Sequence, residues 1–164
     1  MTRQKTTAKR PTKTPIRREI VVGTDGSATA TVAVRRAGEI ARAEGATLHI
    51  VTAFESFNSS EKHDFQSVPA ELAWQVTPGG MADAVLARAV VAAGDDVRTE
   101  QHAVMGDPTE TLLKVADEVG ADLLVVGNQG MGGVTGFVRP TVPNKISHRA
   151  TCDVLIVATR QTAA

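Results

Sequence analysis

Short aliphatic runs of strand length alternate with stretches of helical period along most of the chain. That alternation is the pattern of repeated βαβ units, and it confines the chain to an α/β fold built on a parallel sheet. Ile20-Val21-Val22-Gly23-Thr24 is continuously apolar rather than alternating, as expected of a strand covered on both faces. Leu48–Phe54, Leu123–Val126 and Val154–Val157 are further runs of strand length. Val97–Val104 is more polar and is expected at a sheet edge. With 164 residues, the chain suits one core rather than two.

The intervening stretches carry helix punctuation. Ser27 can cap a helix whose apolar stripe includes Val34, Ala37, Ile40 and Ala41, with Gly45 at a left-handed stop. Thr77-Pro78 opens a second, carrying Met81, Val85, Leu86, Ala89 and Ala93. Asp107-Pro108-Thr109-Glu110 combines an acidic cap, proline at the first position and an acid at the third, and leads into Leu112, Leu113, Ala116 and Val119 before Gly120. A short helix is expected around Val142 to Ala150. Residues 55–76 have no clean period and read as a long connection, with Trp74 near its end packing onto the sheet.

The formal charge of zero hides an asymmetry. Residues 1–18 hold seven bases and no acid, leaving 11 bases against 18 acids in the remainder, so the tail carries +7 and the body −7. Pro11, Pro15, five threonines and almost no apolar residues make residues 1–18 a solvated, disordered extension, with contact to an acidic partner as the functional alternative. Residues 19–160 form the expected domain. A single cysteine, Cys152, excludes an internal disulfide framework, and no Cys/His grouping has zinc-ligand spacing. Arg17-Arg18 is followed by Glu19, Gly23 and Asp25 rather than the apolar core of a twin-arginine signal. No apolar run approaches the roughly 20 residues of a membrane span, and a cytoplasmic location is expected.

In such a sheet, ligands gather beyond the carboxyl ends of the strands at the switch point, here marked by Thr24-Asp25, Ala53 and Gly127. Gly127, Gly130, Gly132, Gly133 and Gly136 follow directly on an aliphatic strand. Glycines there let backbone N–H groups approach an anion, and the helix starting near Thr141 adds its own unpaired amides. A phosphate cradle and a plain flexible loop are equally compatible with this composition. Neither a P-loop lysine nor a Rossmann fingerprint is present. Asp25 suits a ribose hydroxyl or an adenine amino group, or a local turn.

Taken together, Val22-Gly-Thr-Asp-Gly-Ser27, Gly106-Asp-Pro108, Leu123-Leu-Val-Val-Gly-Asn-Gln-Gly-Met-Gly-Gly133 and Cys152-Asp-Val-Leu-Ile-Val157 resemble the universal stress proteins over about residues 19–159. The resemblance implies a doubly wound, five-stranded parallel sheet of order 3-2-1-4-5 with helices on both faces, like the adenine-nucleotide α-hydrolases. It also implies a regulatory, ATP-binding protein of the stress response rather than an enzyme, and a homodimer through the edge strand 153–158. The family's ATP-binding branch has Gly, two residues, Gly, nine residues, then Gly-Ser. Gly127 and Gly130 match, whereas Pro140-Thr141 stands at the last pair, losing one amide and keeping a hydroxyl. Gly23, Thr24, Asp25 and Ala53 would then line the base and ribose, Gly127 and Asn128 the ribose, and Gly130, Thr141 and Val142 the phosphates, with Arg139 and Asn144 as further polar candidates. A magnesium or manganese ion would enter with the phosphates. AMP or cyclic AMP is the alternative ligand, because a site with fewer donors suits a monophosphate.

Two rival readings are a same-fold dimeric scaffold with no nucleotide, and an enzyme of the wider α-hydrolase group, whose Ser-Gly-Gly loop after the first strand is missing. His148 and Cys152 are four apart but sit at a helix end and at the start of an expected buried strand, a poor setting for base and nucleophile. His49, His63 and His102 share no spacing.

Overall fold

A computed structural model describes residues 18–56, 69, 76–129 and 141–159. Among the described residues five strands and four helices alternate: β1 (Glu19–Gly23), α1 (Ala28–Glu44), β2 (Thr47–Phe54), α2 (Pro78–Ala93), β3 (Arg98–Met105), α3 (Pro108–Val119), β4 (Leu123–Gly127), α4 (Val142–Arg149) and β5 (Asp153–Val157). The strands form one sheet of order β3-β2-β1-β4-β5, all neighbours parallel, as expected. The sequence places the third strand one residue early, because the N–H of Val97 is held by the carbonyl of Gly94 in the preceding turn at 3.2 Å. Trp74, His63, Gly130, Arg139, Pro140 and the tail through residue 17 lie outside the described residues.

Each helix starts where a side chain can take over an orphan amide. Ser27 Oγ accepts from Ala30 N–H at 3.1 Å, Thr77 Oγ1 from Gly80 N–H at 3.0 Å, and Asp107 Oδ1 from Thr109 and Glu110 N–H at 2.9 and 3.1 Å. Such caps contribute about 1 kcal/mol apiece. Gly45 and Gly120 end α1 and α3 in the left-handed region, with φ of 64° at both.

Side chains of successive strand residues point to opposite faces, and both faces of the central strands are covered. Ile20, Val22, Leu48, Ile50 and Val125 pack under α1 and α2 against Val34, Ala37, Leu86 and Ala89. Val21, Val51, Leu124 and Val126 pack under α3 and α4 against Leu112, Val115 and Ile146. Among the described residues the buried hydrophobic side chains are all Ala, Val, Leu or Ile. Each fully buried Val, Leu or Ile stabilises by about 1.5–3 kcal/mol, and each alanine by less. β5 is not a buried strand: as an edge it keeps Asp153 and Ile156 exposed, and Cys152 before it is half-buried.

From β1 the chain crosses to β2 on one side, and β4 then pairs with β1 on the other. The connections leaving β1 and β4 therefore run to opposite faces, which opens a crevice beyond their carboxyl ends.

Candidate functional site

The first wall of the crevice is the turn after β1. The N–H of Thr24 donates to the carbonyl of Val51 at 2.9 Å, which ties this turn to β2. Thr24 Oγ1 accepts from Gly26 N–H at 3.2 Å, and Asp25 Oδ1 accepts from Ser27 N–H at 2.9 Å. Asp25 is half-buried and holds its own turn, which gives that carboxylate a fixed direction. Gly23 packs closely on α3, since a Cβ there would come within 2.9 Å of Leu112 Cδ1 and that side chain would have to shift. Gly26 adopts φ 79°, a conformation that favours glycine. Ala53, near the end of β2, is half-buried and pairs with Val104.

The second wall is the end of β4. Gly127 pairs with Val157, and the N–H of Asn128 donates to the Val157 carbonyl at 2.9 Å. Asn128 Oδ1 accepts from the N–H of Thr159 at 2.9 Å and from its hydroxyl at 2.7 Å. The side-chain oxygen of Asn128 therefore stitches β4 to the exit of β5, a structural role beside the ligand role expected of it. Thr159 is buried, and its methyl would lie 3.0 Å from a Cβ at Gly127.

The third element is the start of α4. Thr141 has N-cap geometry, with φ −70° and ψ 160°, yet its side chain makes no cap hydrogen bond. Its hydroxyl is exposed at the helix start, as a ligand group would be. The first-turn amides of Val142 and Asn144 have no intrahelical acceptor, whereas Pro143 between them supplies none. Gly23, Thr24, Asp25, Gly127, Asn128, Thr141 and Val142 thus all lie at strand carboxyl ends or at the α4 start.

The His148–Cys152 pair lies at the junction of α4 and β5. His148 is exposed in the last turn of α4, and burial pushes the half-buried Cys152 thiol up, away from the thiolate. The other histidines hold a relationship that spacing missed. His49 Nδ1 and His102 Nε2 are 3.0 Å apart, because the parallel register sets His49 opposite Glu100 and Val51 opposite His102. Two histidines at alternate positions on successive predicted strands were the available signal, but only the register pairs them.

The family model for the universal stress protein family matches residues 17–158. This chain belongs to the universal stress protein family. A universal stress protein of Mycobacterium tuberculosis is 36% identical over 144 residues, covering 85% of this chain and 95% of that one. A crystal structure of a universal stress protein in complex with cAMP is 36% identical, with a TM-score of 0.68 over 88% of this chain and 98% of its own. The structure of a universal stress protein from Lactobacillus plantarum, 20% identical with a TM-score of 0.66, shows the same fold. This universal stress protein therefore has the family's adenine-nucleotide α-hydrolase-like architecture, and no helix among its described residues is long and apolar enough to cross a membrane.

Proposed function

We propose that this universal stress protein is a cytoplasmic regulatory module that binds an adenine nucleotide in the β1/β4 crevice without dedicated turnover. Cyclic AMP or AMP is preferred, and ATP, with magnesium or manganese on its phosphates, is the weaker ligand. The observation that carries this reading is the cAMP complex of the 36% identical relative, whose chain is covered over 98% of its length by the same fold. The local chemistry agrees in direction. Asp25 follows β1 and Gly127 ends β4, the neighbouring strands on either side of the switch point, and the α4 start offers the exposed Thr141 and two amides. Pro143, and by sequence Pro140, thin the donors that a triphosphate needs.

In this reading the protein acts as a homodimer through β5. That strand is a sheet edge with Ile156 43% exposed, and a groove beside it is lined by Val32, Arg35 and Arg36 of α1 with Leu155 and Val157. An aliphatic edge with unpaired backbone groups favours a second copy.

Calorimetric titration with cyclic AMP, AMP and ATP tests the ligand. The expected order is cyclic AMP or AMP tighter than ATP, with Thr141→Ala weakening each. No heat and no thermal shift with any of the three would overturn the reading and leave a nucleotide-free dimeric scaffold.

A further inference from the structure

At the amino-terminal half of the sheet, away from the crevice, four polar side chains converge on the face covered by α3. Glu19 opens β1, His49 is the third residue of β2, and Glu100 and His102 are the third and fifth of β3. His49 lies four residues before Ala53 along β2, or about 13 Å from the crevice wall. The His49 side chain is only 5% exposed, whereas the carboxylate-bearing side chain of Glu100 is 60% exposed, so the cluster runs from the core to the surface.

The hydrogen bonds orient the His49 ring. Its Nε2 lies 2.9 Å from Glu19 Oε2. A carboxylate only accepts, so Nε2 carries a proton, and in the neutral ring Nδ1 is then left with a lone pair directed at His102. This is the arrangement in which a second carboxylate orients a metal-ligating imidazole and raises its basicity. The Nδ1 lone pair meets His102 Nε2 at 3.0 Å and Glu100 Oε2 at 3.6 Å. Zinc at about 2.0–2.1 Å from tetrahedral ligands holds them roughly 3.3 Å from one another, between those two separations. One ligand atom from each of His49, Glu100 and His102 lies within 4.8 Å of the others.

We propose that His49 Nδ1, His102 Nε2 and the Glu100 carboxylate bind a divalent transition-metal ion of the zinc class, with Glu19 as the positioning residue behind His49. Two imidazoles and one carboxylate are the donor set that zinc and its first-row neighbours take, and the hard cations magnesium and calcium do not. The exposed flank at Glu100 leaves the fourth position to water. The site joins β1, β2 and β3, so occupancy would clamp the β3 edge to the centre of the sheet.

The test is titration of Zn²⁺ into the chelator-treated full chain by calorimetry, with Co²⁺ as a visible-spectrum probe. The expected result is one equivalent bound, with the intense d–d bands of a four-coordinate Co²⁺ complex. Glu100→Gln, an exposed substitution that leaves the core intact, and His102→Ala should each weaken binding at least about tenfold, and Glu19→Gln about 10–100-fold through His49 alone. Circular dichroism of each variant confirms the fold. Zinc binding that is unchanged by Glu100→Gln and His102→Ala places the ion on other groups, such as His63 or His148, and overturns the proposal. So does the absence of saturable binding to the wild-type chain.

Discussion

The amide oxygen of Asn128 accepts two hydrogen bonds from Thr159, one from its N–H at 2.9 Å and one from its hydroxyl at 2.7 Å. Thr159 is 4% exposed, so neither donor has ready access to water. One side chain thereby fixes the exit of β5 against the end of β4, the strand that forms one wall of the candidate nucleotide crevice.

Asn128→Ala is expected to destabilise the fold by about 1–3 kcal/mol, because it strands two buried donors rather than removing one exposed bond. Asn128→Asp keeps an acceptor in place and should retain most of that stability. Urea unfolding of the two variants checks this: equal losses would show that the acceptor oxygen is not what holds the strand ends together.

Glycine in mid-helix usually costs about 1 kcal/mol relative to alanine, so Gly38→Ala in α1 would ordinarily stabilise. Here a Cβ at Gly38 would sit 2.3 Å from the carbonyl oxygen of Ala93 and 2.9 Å from its Cα. Those are backbone atoms of α2 and cannot rotate away. The clash wins, and Gly38→Ala is expected to destabilise by about 1–3 kcal/mol through separation of α1 from α2. A raised melting temperature in Gly38→Ala would refute the close approach.

Glu110, in the first turn of α3, and Arg149, the last residue of α4, form a two-pronged ion pair, with Nη2 to Oε2 at 2.9 Å. The hydrogen bond from Arg149 holds the Glu110 carboxyl below its ordinary range. A carboxyl whose folded pKa is depressed stabilises above its unfolded pKa, and that contribution is lost as pH falls through the folded pKa. Carbon-detected titration should give Glu110 a midpoint below that of a free glutamate, and Arg149→Ala should raise it. The stability difference between wild type and Arg149→Ala should shrink with acid and with added salt, since both groups are exposed. A midpoint unmoved by Arg149→Ala would assign the depression to the helix start instead.

Most of the fold was legible in the residues because its signals are local. Continuous aliphatic runs such as Ile20–Val22 need cover on both faces, and Ser27, Thr77 and Asp107 cap the helices within three residues of themselves. The ends of the first and fourth strands named the crevice for the same reason: Gly23-Thr24-Asp25 and Gly127-Asn128 lie directly at strand ends. What local pattern left open was which partner each polar group takes. Asp25 read as a ribose or adenine partner or as a turn residue, and the fold commits one of its oxygens to Ser27. Asn128 read as a ligand group, and its oxygen is engaged by Thr159, 31 residues away.

By itself, then, the sequence determined the element order, the aliphatic core and the parallel sheet, through periodicity and capping that act over a few residues. Tertiary structure alone decided the closeness of Gly38 to Ala93, the bond between Asn128 and Thr159, and the meeting of Glu19, His49, Glu100 and His102. The reason is register: residues 19, 49, 100 and 102 have no common spacing along the chain, and they become neighbours only when β1, β2 and β3 align in one hydrogen-bonded order.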